Sequence, residues 1–356
     1  MRLLLAGYFG CGNLGDDAIL LGFLNGIKDS GAEVKALTAN VELMMRHYGV
    51  LGVYRKDFGQ VKKAIEECDA LVFPGGSIFQ DVTSTRSVAY YAKLVTDAKK
   101  AGKAVYLLGQ GVGPLTGFLG KRLAKTAFQS ADAVVLRDPG SLSTLQSIGY
   151  RGQPKVAADM AWLLPQYEIG EESTSFGVAG TKTVGISVRP WGKDKNKSVI
   201  NVFSTLAQML TQKGYIPTFI EMDKEEDGPL ILDIAKTLGG KVPDIRNLSS
   251  PIQLQQRLAR MECVVAMRLH AGILAATVGV PSFMVSYDPK VAAFANSIGA
   301  PAPPTMQGLT AQRLFDGMTQ MIKDRERASQ ALCKRRDELA QLAKQNLHVL
   351  PEPICR

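Results

Sequence analysis

The chain has 356 residues, of which 46% are hydrophobic and 21% charged, a balance that excludes a disordered or fibrous protein and a length that suits two domains. Basic residues outnumber acidic ones by 42 to 33, and the net +9 favours an anionic partner without choosing among phosphate, carboxylate, nucleic acid and an acidic membrane face. The 5 scattered cysteines show no CxxC pair, which argues against a disulfide framework or zinc site and suits a reducing cytoplasm; no apolar run reaches bilayer-spanning length.

The opening MRLLLAGYFGCG runs from a short apolar stretch into a glycine-rich turn, and reads as a first strand and not as a leader. Further apolar runs follow at 34–39, 69–73, 103–108 and 132–136, separated by helix-length segments at 16–30, 58–68, 86–101, 119–130 and 140–149. Runs that are continuously apolar suit strands covered on both faces of a parallel sheet. Around 165–183 the pattern lapses into Gly, Ser, Thr and Glu, and then restarts with strands at 184–188, 215–220, 263–267 and 282–286. Helices fit 199–213, 229–238, 251–261 and 271–278, and a charged helical stretch covers 309–347. The expected fold is α/β: two Rossmann-like, doubly wound parallel-sheet domains at 1–165 and 184–308, a linker at 166–183 and a helical tail at 309–356. Ligands in such sheets sit at the carboxyl ends of strands, so a cleft lined by those ends is where chemistry is expected.

The first strand-end loop carries GxGxxG at Gly10, Gly12 and Gly15, a weak dinucleotide fingerprint. Asp16 and Asp17 would repel a pyrophosphate at the helix start, and the second strand ends in Thr38, Ala39 and Asn40 where a ribose-binding acid is wanted. NAD is therefore disfavoured. The carboxylates read as helix caps, or the loop lines a substrate cleft. Paired glycines Gly75 and Gly76 follow another strand, and GQGVGP over 109–114 repeats the pattern. Arg137, in LRDPGS, either reaches into the cleft or pairs with Asp138.

In the second half Arg189, Arg268, His270 and Lys290 all fall at strand ends. Arg268 and His270 would share a face if the chain stayed extended there. Of the 3 histidines, His47 and His348 sit in ordinary surroundings and His270 stands out. Arg189, Arg268 and Lys290, with Arg137 facing them from the other domain, would form a site for phosphate and carboxylate together. Neighbouring cations would depress the His270 imidazolium until an anion binds.

The segments GNLGDDA from Gly12, GGSIFQD from Gly75, GQGVGP from Gly109, LRD from Leu136, ADM from Ala158, RLH from Arg268 and YDPK from Tyr287 together resemble the polysaccharide pyruvyltransferase family, in particular its CsaB-type members. Ser77 stands where a third glycine is common, Ala158-Asp159-Met160 lacks a following proline, and Glu221 and Met222 replace a proline-containing stretch. The resemblance implies a GT-B-like fold and transfer of the enolpyruvyl carbons of phosphoenolpyruvate onto a sugar as a cyclic ketal, with release of phosphate. It implies an acceptor side in the first domain and a donor side in the second. The acceptor so implied is N-acetylmannosamine of a lipid-linked cell-wall precursor whose product anchors S-layer proteins, so that the enzyme works in the cytoplasm at the inner membrane face.

On this reading His270 and Arg268 are catalytic. Arg137, Arg189, Lys290, Asn13, Gly15, Asp16, Gly75, Gly76, Asp81 and Gln110 bind substrate. Phosphoenolpyruvate is a co-substrate, and neither a cofactor nor a metal is expected, since no His/Cys/carboxylate cluster has ligand spacing. Two stretches are candidates for peripheral contact with anionic lipid: the tail from Ile322, which otherwise reads as a solvated helix face, and the helix at 120–128 with Lys121, Arg122 and Lys125. Few aromatics and no basic stripe argue against nucleic acid. A GT-B-type glycosyltransferase using a nucleotide sugar and a non-catalytic sensor of phosphorylated metabolites are the alternatives.

Overall fold

A computed structural model describes residues 1–82, 84–165, 182–192, 195–240, 242–352 and 354. The chain divides into two compact units, Met1–Pro165 with Leu339–Arg356, and Gln166–Glu338. Of the expected linker, residues 166–181 lie outside the described residues.

The first unit runs β1 (Arg2–Phe9), α1 (Leu14–Gly26), β2 (Glu33–Thr38), α2 (Val41–Tyr48), β3 (Leu51–Tyr54), α3 (Phe58–Glu67), β4 (Ala70–Phe73), β5 (Gly76–Phe79), α4 (Thr85–Lys100), β6 (Ala104–Val112), α5 (Phe118–Ser130), β7 (Ala133–Leu136), α6 (Pro139–Ser147) and β8 (Lys155–Val156). Its strands pair in parallel in the order β3-β2-β1-β4-β6-β7-β8, with β5 alongside the end of β6. Leu3, Leu4 and Leu5 of β1 register against Ala70, Leu71 and Val72 of β4, all buried, which is why these stretches read as unbroken apolar runs. Strand order turns around between β1 and β4. On one face Phe79 packs on Phe128 with ring centroids 4.9 Å apart, and Phe73 and Tyr91 complete an aromatic core.

The second unit runs β9 (Lys182–Ser187), α7 (Asn196–Gln212), β10 (Tyr215–Ile220), α8 (Asp227–Thr237), β11 (Asp244–Ile245), α9 (Pro251–Leu258), β12 (Cys263–Ala266), α10 (Leu269–Thr277), β13 (Ser282–Met284), α11 (Pro289–Ser297), α12 (Ala311–Lys323) and most of α13 (Arg325–Lys344), whose last residues from Leu339 belong to the first unit. The parallel order is β11-β10-β9-β12-β13, turning around between β9 and β12. Ile186, Phe203, Phe219 and Val265 lie in its core. Among the described residues no helix is long and apolar enough to cross a membrane.

The fold class is the expected one, and the sequence reading misses particular elements. The β3 strand is an edge strand whose four residues are exposed or half-buried, so no apolar run announces it. Gly76–Phe79, read as loop, is a strand because it finds a partner in β6. The stretch read as a tail is two helices with different roles. Leu314 and Met318 of α12 are fully buried in the second core. Three of the four arginines of α13 reach backbone carbonyls at or just beyond the ends of α9, α10 and α11: Arg325 on Met261, Arg336 on Thr277 and Arg335 on Ser297. Cations at helix carboxyl ends satisfy orphan carbonyls and the helix dipole together. One side of α13 is thus packed on the second unit, while Arg327, Lys334, Asp337 and Glu338 leave a solvated face of mixed sign on the other. Beyond it Asn346, wholly buried, donates to Ala158 O at 2.9 Å within the first unit.

Candidate functional site

The carboxyl edge of the first sheet is tied together by its own carboxylates. Asn13, not an aspartate, caps α1, its side chain accepting from the Gly15 and Asp16 amides at 2.9 and 3.3 Å. Asp17 turns back into the loop, accepts from the Gly10 amide at 3.1 Å and is 3% exposed. Burial pushes its carboxyl up to about 7, and the Gly10 amide only partly offsets that. Asp16 faces Gly76, where an added Cβ would sit 3.1 Å from its Oδ1; at Gly75 a Cβ would press on Ile19 at 2.9 Å. Both glycines have positive φ, 150° and 95°, so the loop takes a path open to glycine and lies directly on α1.

Asp81 accepts from the Thr116 and Gly117 amides at 2.8 and 2.7 Å. Burial would raise this carboxyl, but those donors outweigh it and hold it below the ordinary range. Gln110 is wholly buried and gives its side-chain amide to Phe73 O and Leu108 O, so it braces the sheet from inside. Arg137 is 9% exposed, with Nη1 3.0 Å from Asp159, Nη2 3.0 Å from Ser77 Oγ and Nε 3.4 Å from Asp138. It lies on Gly111, where any Cβ would collide with its Nη2. Burial alone would lower its pKa; Asp159 and Asp138 outweigh that and raise it. Arg137 is therefore paired, with Asp138 as the sequence suggests and more closely with Asp159.

The sequence reading passes over Arg55, just beyond β3. Its guanidinium stands 4.9 Å from the Tyr90 ring centre, 5.5 Å from Tyr8 and 5.7 Å from Tyr91, and it donates to Cys11 Sγ and Tyr91 Oη. No pattern pointed to it, because the strand that positions it carries none.

The second sheet gathers its predicted residues. Arg189 follows β9 and Arg268 follows β12, the two strands that flank the turnaround in strand order. Lys290 opens α11 beyond β13: Asp288 caps that helix through the Lys290 amide at 3.0 Å, and Pro289 takes the first helical position, where its missing N–H costs nothing. Tyr287 lies among these cations, its ring centre 4.2 Å from the Arg189 guanidinium and 5.8 Å from the Lys290 ammonium. Glu226 ties the two arginines, at 2.7 Å from Arg268 and 3.9 Å from Arg189. His270 is the second residue of α10, with Arg268 at its N-cap, so the two do not share a strand face as expected. The helix starts there because Leu269 and residues 271–277 are buried and turn the chain back onto the sheet.

What the sequence reading also missed is the acid. Arg268 binds wholly buried Asp227 through Nε and Nη2 as well as Glu226. Burial pushes Asp227 up to about 6, and Arg268 restrains that rise. In return Asp227 and Glu226 outweigh the desolvation of Arg268 and hold it charged. Asp227 also accepts from the Met222 and Asp223 amides at 3.1 and 3.0 Å. The carboxylates Asp223, Glu225, Glu226 and Asp227, within seven residues of the end of β10, were the available signal.

A sequence model of the family described as polysaccharide pyruvyl transferase matches residues 13–289. The amylovoran biosynthesis protein AmsJ of Erwinia amylovora is 22% identical over 382 aligned positions, covering 89% of this chain and 90% of that one. The UDP-N-acetylglucosamine 2-epimerase of Rickettsia bellii superposes with a TM-score of 0.65 at 14% identity, over 99% of this chain and 96% of its own. Anabaena HepE in complex with UDP gives 0.61 at 15% identity, over 96% and 95%. At such identities the two structures show a shared fold and nothing of the ligand.

Proposed function

Because this chain belongs to the polysaccharide pyruvyl transferase family, we propose that it transfers the pyruvyl carbons of phosphoenolpyruvate onto two hydroxyls of a sugar, forming a cyclic ketal and releasing phosphate. The observation that carries this reading is the grouping of Arg189, Arg268 and Lys290 about Tyr287 and Glu226, with His270 in the first turn of the adjoining helix. Phosphoenolpyruvate holds a phosphate and a carboxylate close together. Arg189 and Lys290 meet them as new counter-ions, and the donor takes the place on Arg268 that the 40% exposed Glu226 fills in its absence.

His270 gives its proton to C3 of the donor, which becomes a methyl group and leaves C2 oxocarbenium-like. One sugar hydroxyl attacks C2 and its proton returns to the imidazole. The second hydroxyl then displaces phosphate, which departs with the electron pair of its C–O bond and takes up the remaining proton. Proton transfer by a positioned side chain contributes about 10²–10⁴ in rate. Cations aimed at the departing phosphate add roughly 3 kcal/mol each in a site that excludes water.

The acceptor in this proposal is N-acetylmannosamine on a lipid-linked cell-wall precursor, supported by the motif resemblance to CsaB-type members. The test is incubation of the full chain with phosphoenolpyruvate and a panel of sugar-lipids, reading phosphate release and product mass. Acceptor-dependent phosphate release with a product heavier by pyruvic acid less water is expected. Phosphate release without an acceptor, turnover of a nucleotide sugar instead, or binding without turnover would each overturn the reading.

A further inference from the structure

Three of the most exposed large apolar side chains in the described structure sit together at the start of α5: Phe118 at 80%, Val82 at 67% and Leu119 at 55%. Their adjacency is fixed by Asp81. Its amide donates to Pro114 O at 3.1 Å, its carboxylate holds the Gly117 amide at 2.7 Å, and Gly120 passes so close that a Cβ would stand 2.6 Å from Oδ2. Val82, next along the chain, is thereby set beside the first turn of α5. Cations follow along α5, exposed Lys121 and Arg122 in its first turns and half-buried Lys125 further on beside Gly149, and exposed Arg86 lies in the first turn of α4, which packs along α5. No acidic residue occurs over 118–130. Among the described residues none of the four takes part in an ion pair.

Single exposed apolar side chains are ordinary, but three on neighbouring segments pinned together by Asp81, with cations close by, mark a surface that meets something. We infer that this tip seats the protein on an anionic lipid bilayer. Phe118, Leu119 and Val82 enter the boundary between headgroups and acyl chains, and Arg86, Lys121, Arg122 and Lys125 meet the lipid phosphates. Charge decides for a bilayer: the one carboxylate at the tip, Asp81, is taken up by the Thr116 and Gly117 amides, and the cations left over complement a uniformly anionic surface, whereas a protein partner presents both signs. The α13 helix makes the contrast, because its Arg325, Arg335 and Arg336 are bound to carbonyls and carboxylates. The tip follows the carboxyl end of β6, on the sheet edge that also carries the Gly10–Gly15 loop, so a bilayer there would present lipid-borne groups to that edge. The inference is independent of the reaction.

The test is co-sedimentation of the full chain, without substrate, with phosphatidylcholine vesicles lacking or containing phosphatidylglycerol. Binding to the anionic vesicles that weakens with salt is expected. Phe118→Ser with Leu119→Ser, and separately Lys121→Glu with Arg122→Glu, should each weaken it by about tenfold or more at an unchanged melting temperature. The same charge reversal on exposed α13 residues, Arg327→Glu with Lys334→Glu, should leave it intact. In Phe118→Trp, indole fluorescence should be quenched by brominated acyl chains. No binding to anionic vesicles overturns the inference, as does binding indifferent to the α5 substitutions. A dimer dissociated by Phe118→Ser in a protein that ignores vesicles would overturn it in favour of a second copy.

Discussion

Arg137 and Arg268 hold matching places in the two units, each just beyond a buried strand, each gripped by two carboxylates. They differ in what surrounds the grip. Arg137 is enclosed: Asp159 is 3% exposed, Ser77 takes a further donor and Gly111 lies beneath the guanidinium. Arg268 has one sealed partner, Asp227, and one open partner, Glu226, whose side chain is 40% exposed and lies within 3.9 Å of Arg189. A cation locked on both sides braces the fold. A cation with one exposed counter-ion is where the proposed donor would bind.

If that contrast assigns chemistry to the second edge, His270→Ala carries the largest effect. It should lower kcat by about 10²–10⁴-fold with no change in melting temperature; near-normal turnover would detach His270 from the reaction. Next comes the brace of the first edge. Asp159→Ala leaves Arg137 buried with a lost partner, and urea unfolding should register about 3–5 kcal/mol of lost stability. A loss no larger than a surface substitution causes would mean that Arg137 is not braced.

Asp17 sharpens the first edge further. Its folded carboxyl stands at about 7 against an ordinary 3.8, so the folded state binds a proton more tightly than the unfolded one. Stability therefore falls as pH rises from about 4 to about 7 and is flat above. Asp17→Asn keeps an acceptor for Gly10 and removes that penalty. Above pH ~7 it should gain stability over the parent, up to about 4 kcal/mol, with the gain vanishing near pH ~4. A gain independent of pH would refute the assignment. The smallest effect belongs to Glu226→Gln. It should cost under about 1 kcal/mol of stability, since the group is half-exposed, and should lower KM for phosphoenolpyruvate by weakening the competing counter-ion. A raised KM would show Glu226 to be a positioning residue instead.

Much of the fold is legible because burial on both faces leaves a short apolar run, as β1, β4, β6, β7 and β12 show. The edge strand β3 and the strand β5, entered through two glycines, do not, and Arg55 was lost with the first. The cations of the second site were legible from position alone, since Arg189, Arg268, His270 and Lys290 follow strands at the edge where parallel sheets collect ligands. Their acids were not legible in the same way, because Glu226 and Asp227 stand 42 and 41 residues from Arg268 in the chain and nothing local marks them as its partners.

By itself the sequence determined the alternation of strand and helix, and with it which residues stand at the carboxyl edges. Each strand is a local apolar segment and each turn local chemistry, so both are written within a few neighbours. Only the tertiary structure decided which charges are held and which are open. Asp159 lies 22 residues from Arg137, while Asp227 and Glu226 lie 41 and 42 residues from Arg268. Such pairs are set by where a distant helix or turn packs onto the sheet, and the low dielectric of that packing makes an unpaired charge too costly to leave.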